Sequence, residues 1–216
     1  MKLRLLACGF VIGVGSVVLS TQVLSQDSGG MQHPSPEEMQ AMMKAWKDTM
    51  TPGEHHKKLS QFVGSWITTT KIWWGGPGTP ATQTKGSAEV NWVLDGRYLM
   101  EQSTGEFMMP DETGAMNPVP VSHLGLTGYD NYRKMYVAFW ADSMGTALLT
   151  MKGGVDPSGT VFTSYGEMDE PMLGVIGRTV KYVTRIIDDD THVFEIFDLH
   201  AADDYKVIEI TYERKK

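Results

Sequence analysis

From Gly64 onward the chain alternates apolar and polar residues in short runs broken by turn residues. In the last run Ile208, Ile210 and Tyr212 share one phase, and Glu209, Thr211 and Glu213 share the other. Val180, Tyr182, Thr184 and Ile186 likewise fall in one phase. A period of two is the signature of an extended strand with one wet and one apolar face. The pattern predicts strands at Ser65–Trp74, Lys85–Leu94, Arg97–Phe107, Val121–Tyr129, Lys134–Asp142, Thr146–Lys152, Thr160–Glu167, Arg178–Ile187, His192–Leu199 and Tyr205–Glu213. The breaks between them carry turn chemistry, as at Asp95-Gly96, Asp130-Asn131 and Asp156 to Gly159. Strands that follow one another in this way, with no long helix between them, predict an up-and-down barrel or a sandwich.

Before residue 64 the period changes. Met39, Met42, Met43, Trp46 and Met50 recur at helical spacing, behind Ser35 as cap, Pro36 at the first position and Glu37 and Glu38 in the first turn. Thr51-Pro52-Gly53 ends this helix, and a second short one is expected from Glu54 to Phe62, so that residues 36–62 form a helical segment ahead of a β domain at 63–216. The 134–142 strand is apolar in both phases, with Met135, Val137 and Phe139 opposite Tyr136, Ala138 and Trp140. One face of it needs a cover, and the Met-rich helix is the expected one.

The first residues read differently again. Lys2 and Arg4 precede an apolar run from Leu5 to about Leu19, and Val23 and Ser25 place small residues where a signal peptidase cuts. This is the three-part pattern of a secretory signal peptide, expected over residues 1–25, and the polar stretch at 26–35 is expected to be a disordered lead. Cys8 lies inside the signal, so the exported chain is expected to carry no cysteine. The formal net charge is −7 and becomes more negative once Lys2 and Arg4 are removed. Such a protein repels phosphate backbones and anionic lipid, and no later run is long enough to span a bilayer. The expected location is the periplasm or the exterior, with no nucleic acid as partner and no stable membrane insertion.

Candidate chemistry is sparse. No nucleophile elbow, zincin motif, phosphate loop or dinucleotide fingerprint occurs. Asp142 shares a strand face with Trp140, and Glu195 shares one with Val193 and Phe197; a carboxyl among apolar neighbours could serve as acid or base. Among the six histidines only His55 and His56 are close in sequence. With the nearby methionines they suggest Cu(I), though a Met-lined packing face explains the spacing better. His123 is the strand histidine best placed for haem. The expectation remains no metal and no cofactor. Six tryptophans and eight tyrosines can line a ligand cavity, and the residues expected to do so are Trp92, Met100, Tyr136, Trp140, Asp142, Tyr182, Phe194 and Ile208.

Gly64-Ser65-Trp66, just after a short helix, resembles the Gly-x-Trp that opens the first strand of lipocalin-type barrels, where the indole seals the closed end beneath a basic side chain. Arg185 or Arg214 would be that side chain here. More broadly, the blocks HKKLSQFVGSW (56–66), WVLDGRYL (92–99), TGEFM (104–108), GLTGYDN (125–131), WADSMG (140–145), GEMDEPM (166–172) and EITY (209–212) resemble the bacterial domain-of-unknown-function family numbered 1579. That resemblance supports the fold and brings no activity or catalytic residue with it. The predicted fold is therefore mostly β: an antiparallel, lipocalin-like (calycin-type) barrel of about ten strands with one or two N-terminal helices. The predicted function is an exported, non-enzymatic binding protein for a small apolar or amphipathic ligand. The alternatives are a small enzyme using a carboxyl inside the barrel and an interaction module of the envelope.

Overall fold

The computed structural model describes residues 33–216; the expected signal at 1–25, Cys8 and most of the 26–35 lead lie outside them. Helix α1 (Pro36–Met50) starts as its sequence dictates. The Ser35 hydroxyl accepts from Glu38 N, and the Glu38 carboxylate accepts from Ser35 N at 2.7 Å. A short helix α2 (Glu54–Lys57) runs directly into a 3-10 turn at Lys58–Phe62.

Ten strands follow: β1 (Gly64–Ile72), β2 (Thr82–Val93), β3 (Tyr98–Pro110), β4 (Met116–Asp130), β5 (Met135–Asp142), β6 (Leu149–Val155), β7 (Val161–Glu170), β8 (Val175–Asp188), β9 (Thr191–Asp198) and β10 (Lys206–Arg214). Each pairs antiparallel with the next, and β10 returns to pair with β1, closing the barrel. The sandwich alternative is thereby removed. Strand β4 begins five residues before its predicted start and contains Pro118 and Pro120. Both prolines lie above His123, the first residue of β4 that pairs with β5, so their missing N–H groups leave no ladder bond unmade on that side.

The strand phases define the interior. Trp66, Ala88, Val90, Leu99, Tyr136, Val180, Tyr182 and Tyr212 are all buried. One end of the barrel is sealed. Leu59 from the 3-10 turn packs there with Trp66, Val90, Leu99, Tyr136 and Tyr212, backed by Phe62, Trp92 and Phe162. Trp66 is 1 % exposed, and its indole N–H donates to Phe62 O at 2.9 Å. The guanidinium of Arg214 lies 4.2 Å from the indole centroid and donates to Val63 O, Gln61 O and Asp189 O. Arg214, not Arg185, is therefore the basic lid on Trp66. Gly64, at φ 138°, is needed for this approach: a Cβ there would stand 2.5 Å from Arg214 Nη1.

Arg185 works on the outer wall instead. It meets Glu195 at 2.8 Å, Glu195 meets Lys206 at 3.0 Å, Lys206 meets Glu209 at 2.5 Å, and Glu209 meets Lys71 at 3.1 Å. This chain of alternating charge runs over β8, β9, β10 and β1 and bridges the seam where the barrel closes.

The Met-rich helix does not cover β5, as its spacing suggested it would. No residue of α1 is buried, and Met42 and Trp46 are each 58 % exposed. The Asn131 amide holds the helix end, donating to the carbonyl oxygens of Thr51 at 2.7 Å and Thr49 at 3.2 Å. The packing segment is the one after it: His55 stacks on Tyr129 at 4.1 Å, and His56 is buried.

Candidate functional site: the barrel cavity

Above the seal the barrel is hollow. Side chains at inward positions fill a barrel of this width only if they are large. Here Gly86, Gly105, Ala138, Gly153 and Gly166 all occupy the inward phase, with Thr68, Thr70, Thr84 and Ser103 among them. The result is a cavity of about 400 Å³ that reaches from Leu59 and Phe62 in the seal to Phe107 and Met144 at the opposite end. That end exposes Trp74, Met144, Leu148 and Leu173 from its connections and Ile176 from the start of β8.

The cavity has two unlike walls. Strands β1 to β4 contribute Thr68, Thr70, Thr84, Glu101, Ser103 and His123. Strands β5 to β10 contribute chiefly Trp140, Met151, Tyr182, Phe194, Ile196 and Ile208. The β1 to β4 wall is thus the more polar, while the β5 to β10 wall is largely apolar around the hydroxyls of Ser164, Tyr182 and Thr184.

Glu101 is the central polar group. It lies far from bulk solvent, and its remaining accessible surface faces the cavity. The Tyr212 hydroxyl, from the far side of β1 and β2, donates to Glu101 Oε1 at 3.1 Å. Burial pushes the Glu101 carboxyl up to about 7, against the opposing pull of that hydrogen bond. Tyr212 is itself raised well above its ordinary value, by burial first and then by the Glu101 charge. Behind Tyr212, His192 stacks at 4.3 Å and meets Trp66 edge-on at 4.5 Å. Burial, with Arg214 nearby, lowers His192 to about 3, so it is a neutral ring at ordinary pH.

Two further polar atoms of the cavity residues are buried without a hydrogen-bond partner, Tyr182 Oη and His123 Nδ1. Burial raises the Tyr182 phenol to about 12. It lowers His123, with Asp142 opposing, and the His123 ring lies 5.4 Å from that of Trp140.

Of the residues expected to line a cavity, Tyr136, Trp140, Asp142, Tyr182, Phe194 and Ile208 border this one. Trp92 points inward but packs into the seal beneath it. Met100 faces outward, because its neighbour Leu99 holds the inward phase of β3. Glu195 also faces outward, tied to Arg185 and Lys206, which removes it as an acid or base within the barrel. Asp142 is occupied at the rim, accepting from Met144 N at 2.8 Å and Gly145 N at 3.0 Å. Glu101, Tyr212, His192 and Ser103 were not among the expected site residues. The signal for Glu101 was in the sequence: it shares the phase of Leu99 and Phe107.

A family model described as "Protein of unknown function (DUF1579)" matches residues 51–214. No curated protein matches the chain. Among solved structures, a redesigned β-barrel is similar at 11% identity with a TM-score of 0.36, covering 74% of this chain and 96% of that one.

Proposed function

The chain belongs to the DUF1579 family, and from that premise we propose that its barrel is a non-enzymatic binding module for one small apolar or amphipathic ligand. The observation that carries the reading is the cavity itself, about 400 Å³, with an apolar wall and a buried tyrosine hydroxyl that no protein group satisfies. Cavities of this size suit single small molecules, and a buried polar atom left unpaired costs about 1–3 kcal/mol unless a ligand meets it. The seal at Trp66 leaves the opposite end as the route of entry.

Nile red, a neutral dye that brightens in apolar surroundings, tests the reading. The described barrel is expected to bind it and brighten it, and Ala138→Phe, which adds a ring at an inward position, is expected to weaken that binding at least about tenfold while the fold persists. No brightening in the native protein, or an unchanged response in a folded Ala138→Phe variant, would overturn it. Native mass spectrometry of protein from its own host would then identify the retained ligand.

Export is part of the same proposal and rests on the charged start, the apolar run and the small residues at Val23 and Ser25. Intact-mass measurement is expected to find a chain beginning at Gln26. A retained Met1, or lipid on Cys8, would contradict it.

A further inference from the structure

We infer that the ligand is an apolar molecule bearing one protonated amine, which the cavity holds at Glu101 beside the Trp140 ring; this rests on the binding-module reading above. The charges facing the cavity are one-sided. Glu101, Glu106 and Asp142 border it with carboxyl groups. The one lysine that borders it, Lys85, is an exposed residue in the outward phase between Thr84 and Gly86. Arg178, in the inward phase of β8 nearer the rim and outside the cavity lining, is bound through Nη1 to Asp198 at 3.2 Å and leaves its buried Nε without a partner. Burial holds His192 neutral and disfavours the charged form of His123. No described cation therefore balances Glu101, whose one hydrogen-bond partner is the Tyr212 hydroxyl.

That balance sorts ligands by head group. A carboxylate or phosphate would set a second negative charge beside Glu101 with no cation to relieve it. An ammonium group would supply the missing counter-charge and form a charge-assisted hydrogen bond. The ring of Trp140 stands two strands away, on β5, with Gly125 of β4 between it and Glu101. It lies over Gly125, where a Cβ would be 2.7 Å from the indole and 3.7 Å from Glu101 Cβ. The Glu101 side chain and the Trp140 ring thus leave the wall on either side of Gly125 and border the same cavity, and a carboxyl with an aromatic ring is the pairing that recognises organic cations. Thr68 and Ser103 on the same wall offer oxygens to the remaining N–H groups, and the apolar wall takes the hydrocarbon. The net charge of −7 draws cations rather than anions toward the protein.

Three probes with one hydrocarbon chain separate the possibilities: decylamine, decanol and decanoate, titrated below their micelle concentrations. Decylamine is expected to bind about tenfold tighter than decanol at pH 7.5, and decanoate weakest of the three. Binding the amine should expel a proton from Glu101, so its affinity is expected to rise about 30-fold from pH 5.5 to 8.5, as the carboxyl titrates near 7. The other titratable groups on the facing strands are Tyr212, Tyr182, His192, His123 and Asp142; His192 and the two phenols keep one form over that range, and burial lowers His123. Glu101→Gln is expected to abolish the pH dependence and bring decylamine down to the level of decanol.

If Glu101→Gln does not fold, calorimetry of the native protein in two buffers of different ionisation enthalpy still reads proton release. Decanoate binding as tightly as decylamine, or an amine affinity indifferent to pH, would overturn the inference. If Nile red binds but decylamine gains nothing over decanol, the amine inference fails and the binding module stands. If neither the dye nor any probe binds, both fall.

Discussion

Replacing Trp66 with alanine is expected to lower the melting temperature by about 10 °C. Removing a fully buried tryptophan costs about 3–5 kcal/mol, and in a domain of this size each kcal/mol moves the midpoint by about 2–4 °C. Trp66 earns the upper part of that range because its indole serves three neighbours at once. It donates to Phe62 O, carries the Arg214 guanidinium on its face, and meets the His192 ring edge-on. Arg214→Lys is expected to lose about half as much, since an ammonium cannot reach the carbonyl oxygens of Val63, Gln61 and Asp189 together. Ile67→Ala serves as the control, because Ile67 is 44 % exposed on the same strand. Circular-dichroism melts of the three variants decide the matter. A Trp66→Ala loss no larger than that of Ile67→Ala would mean that the seal does not hold the barrel together.

Stability is expected to stay level from about pH 4.5 to 6.5, where two buried groups of opposite sense offset each other, and to fall on both sides. Glu101 titrates near 7 when folded and near 4.5 when unfolded. Between those values the folded chain holds the extra proton, so its stability falls as pH rises, by about 3 kcal/mol in all. His192 titrates near 3 when folded and near 6.5 when unfolded. There the unfolded chain holds the extra proton, so stability is lost as pH drops below about 6.5, by up to about 5 kcal/mol. Glu209 contributes to the same acid limb: burial would raise it, but Lys206 and Lys71 outweigh burial and hold it low. Urea midpoints at pH 4, 5.5 and 8 check the shape. Glu101→Gln is expected to flatten the alkaline limb and His192→Phe the acid one. A Glu101→Gln variant that still weakens from pH 5.5 to 8 as the native protein does would refute the assignment.

The architecture was legible because strands announce themselves locally. Every predicted strand overlaps an observed one, and turn chemistry such as Asp95-Gly96, with φ 54° and 77°, marked the hairpins. The seal was legible too, since Gly64 and Trp66 carry its geometry in three residues. The site was harder because it depends on phase. In β3 the outward Met100 attracts notice as a large apolar residue, while the inward residue beside it is an acid. A slip of one position exchanges the two faces of a strand, so a residue-by-residue reading drew Met100 into the cavity and left Glu101 out. Glu195 shows the same error from the other side: its apolar neighbours Val193 and Phe197 belong to the outer wall, where distant Arg185 and Lys206 give it partners that the local sequence does not show. The Met-rich helix failed differently. Helical spacing shows that a face exists, but not what lies against it.

The order of the strands bears on how the chain finds its fold. Nine of the ten pairings join consecutive strands, and each can zip from its own hairpin with little chain entropy to overcome. The tenth, between β1 and β10, must bring together segments as distant as Val63 and Arg214, 151 residues apart. Joining such distant ends costs about 3 kcal/mol more than closing a short hairpin. Trp66, Arg214 and the ion pair of Lys71 with Glu209 all lie across that one seam. The long-range part of the contact order is thus concentrated in one pairing, and the side-chain contacts of Trp66 with Arg214 and of Lys71 with Glu209 stand where chain entropy opposes closure most.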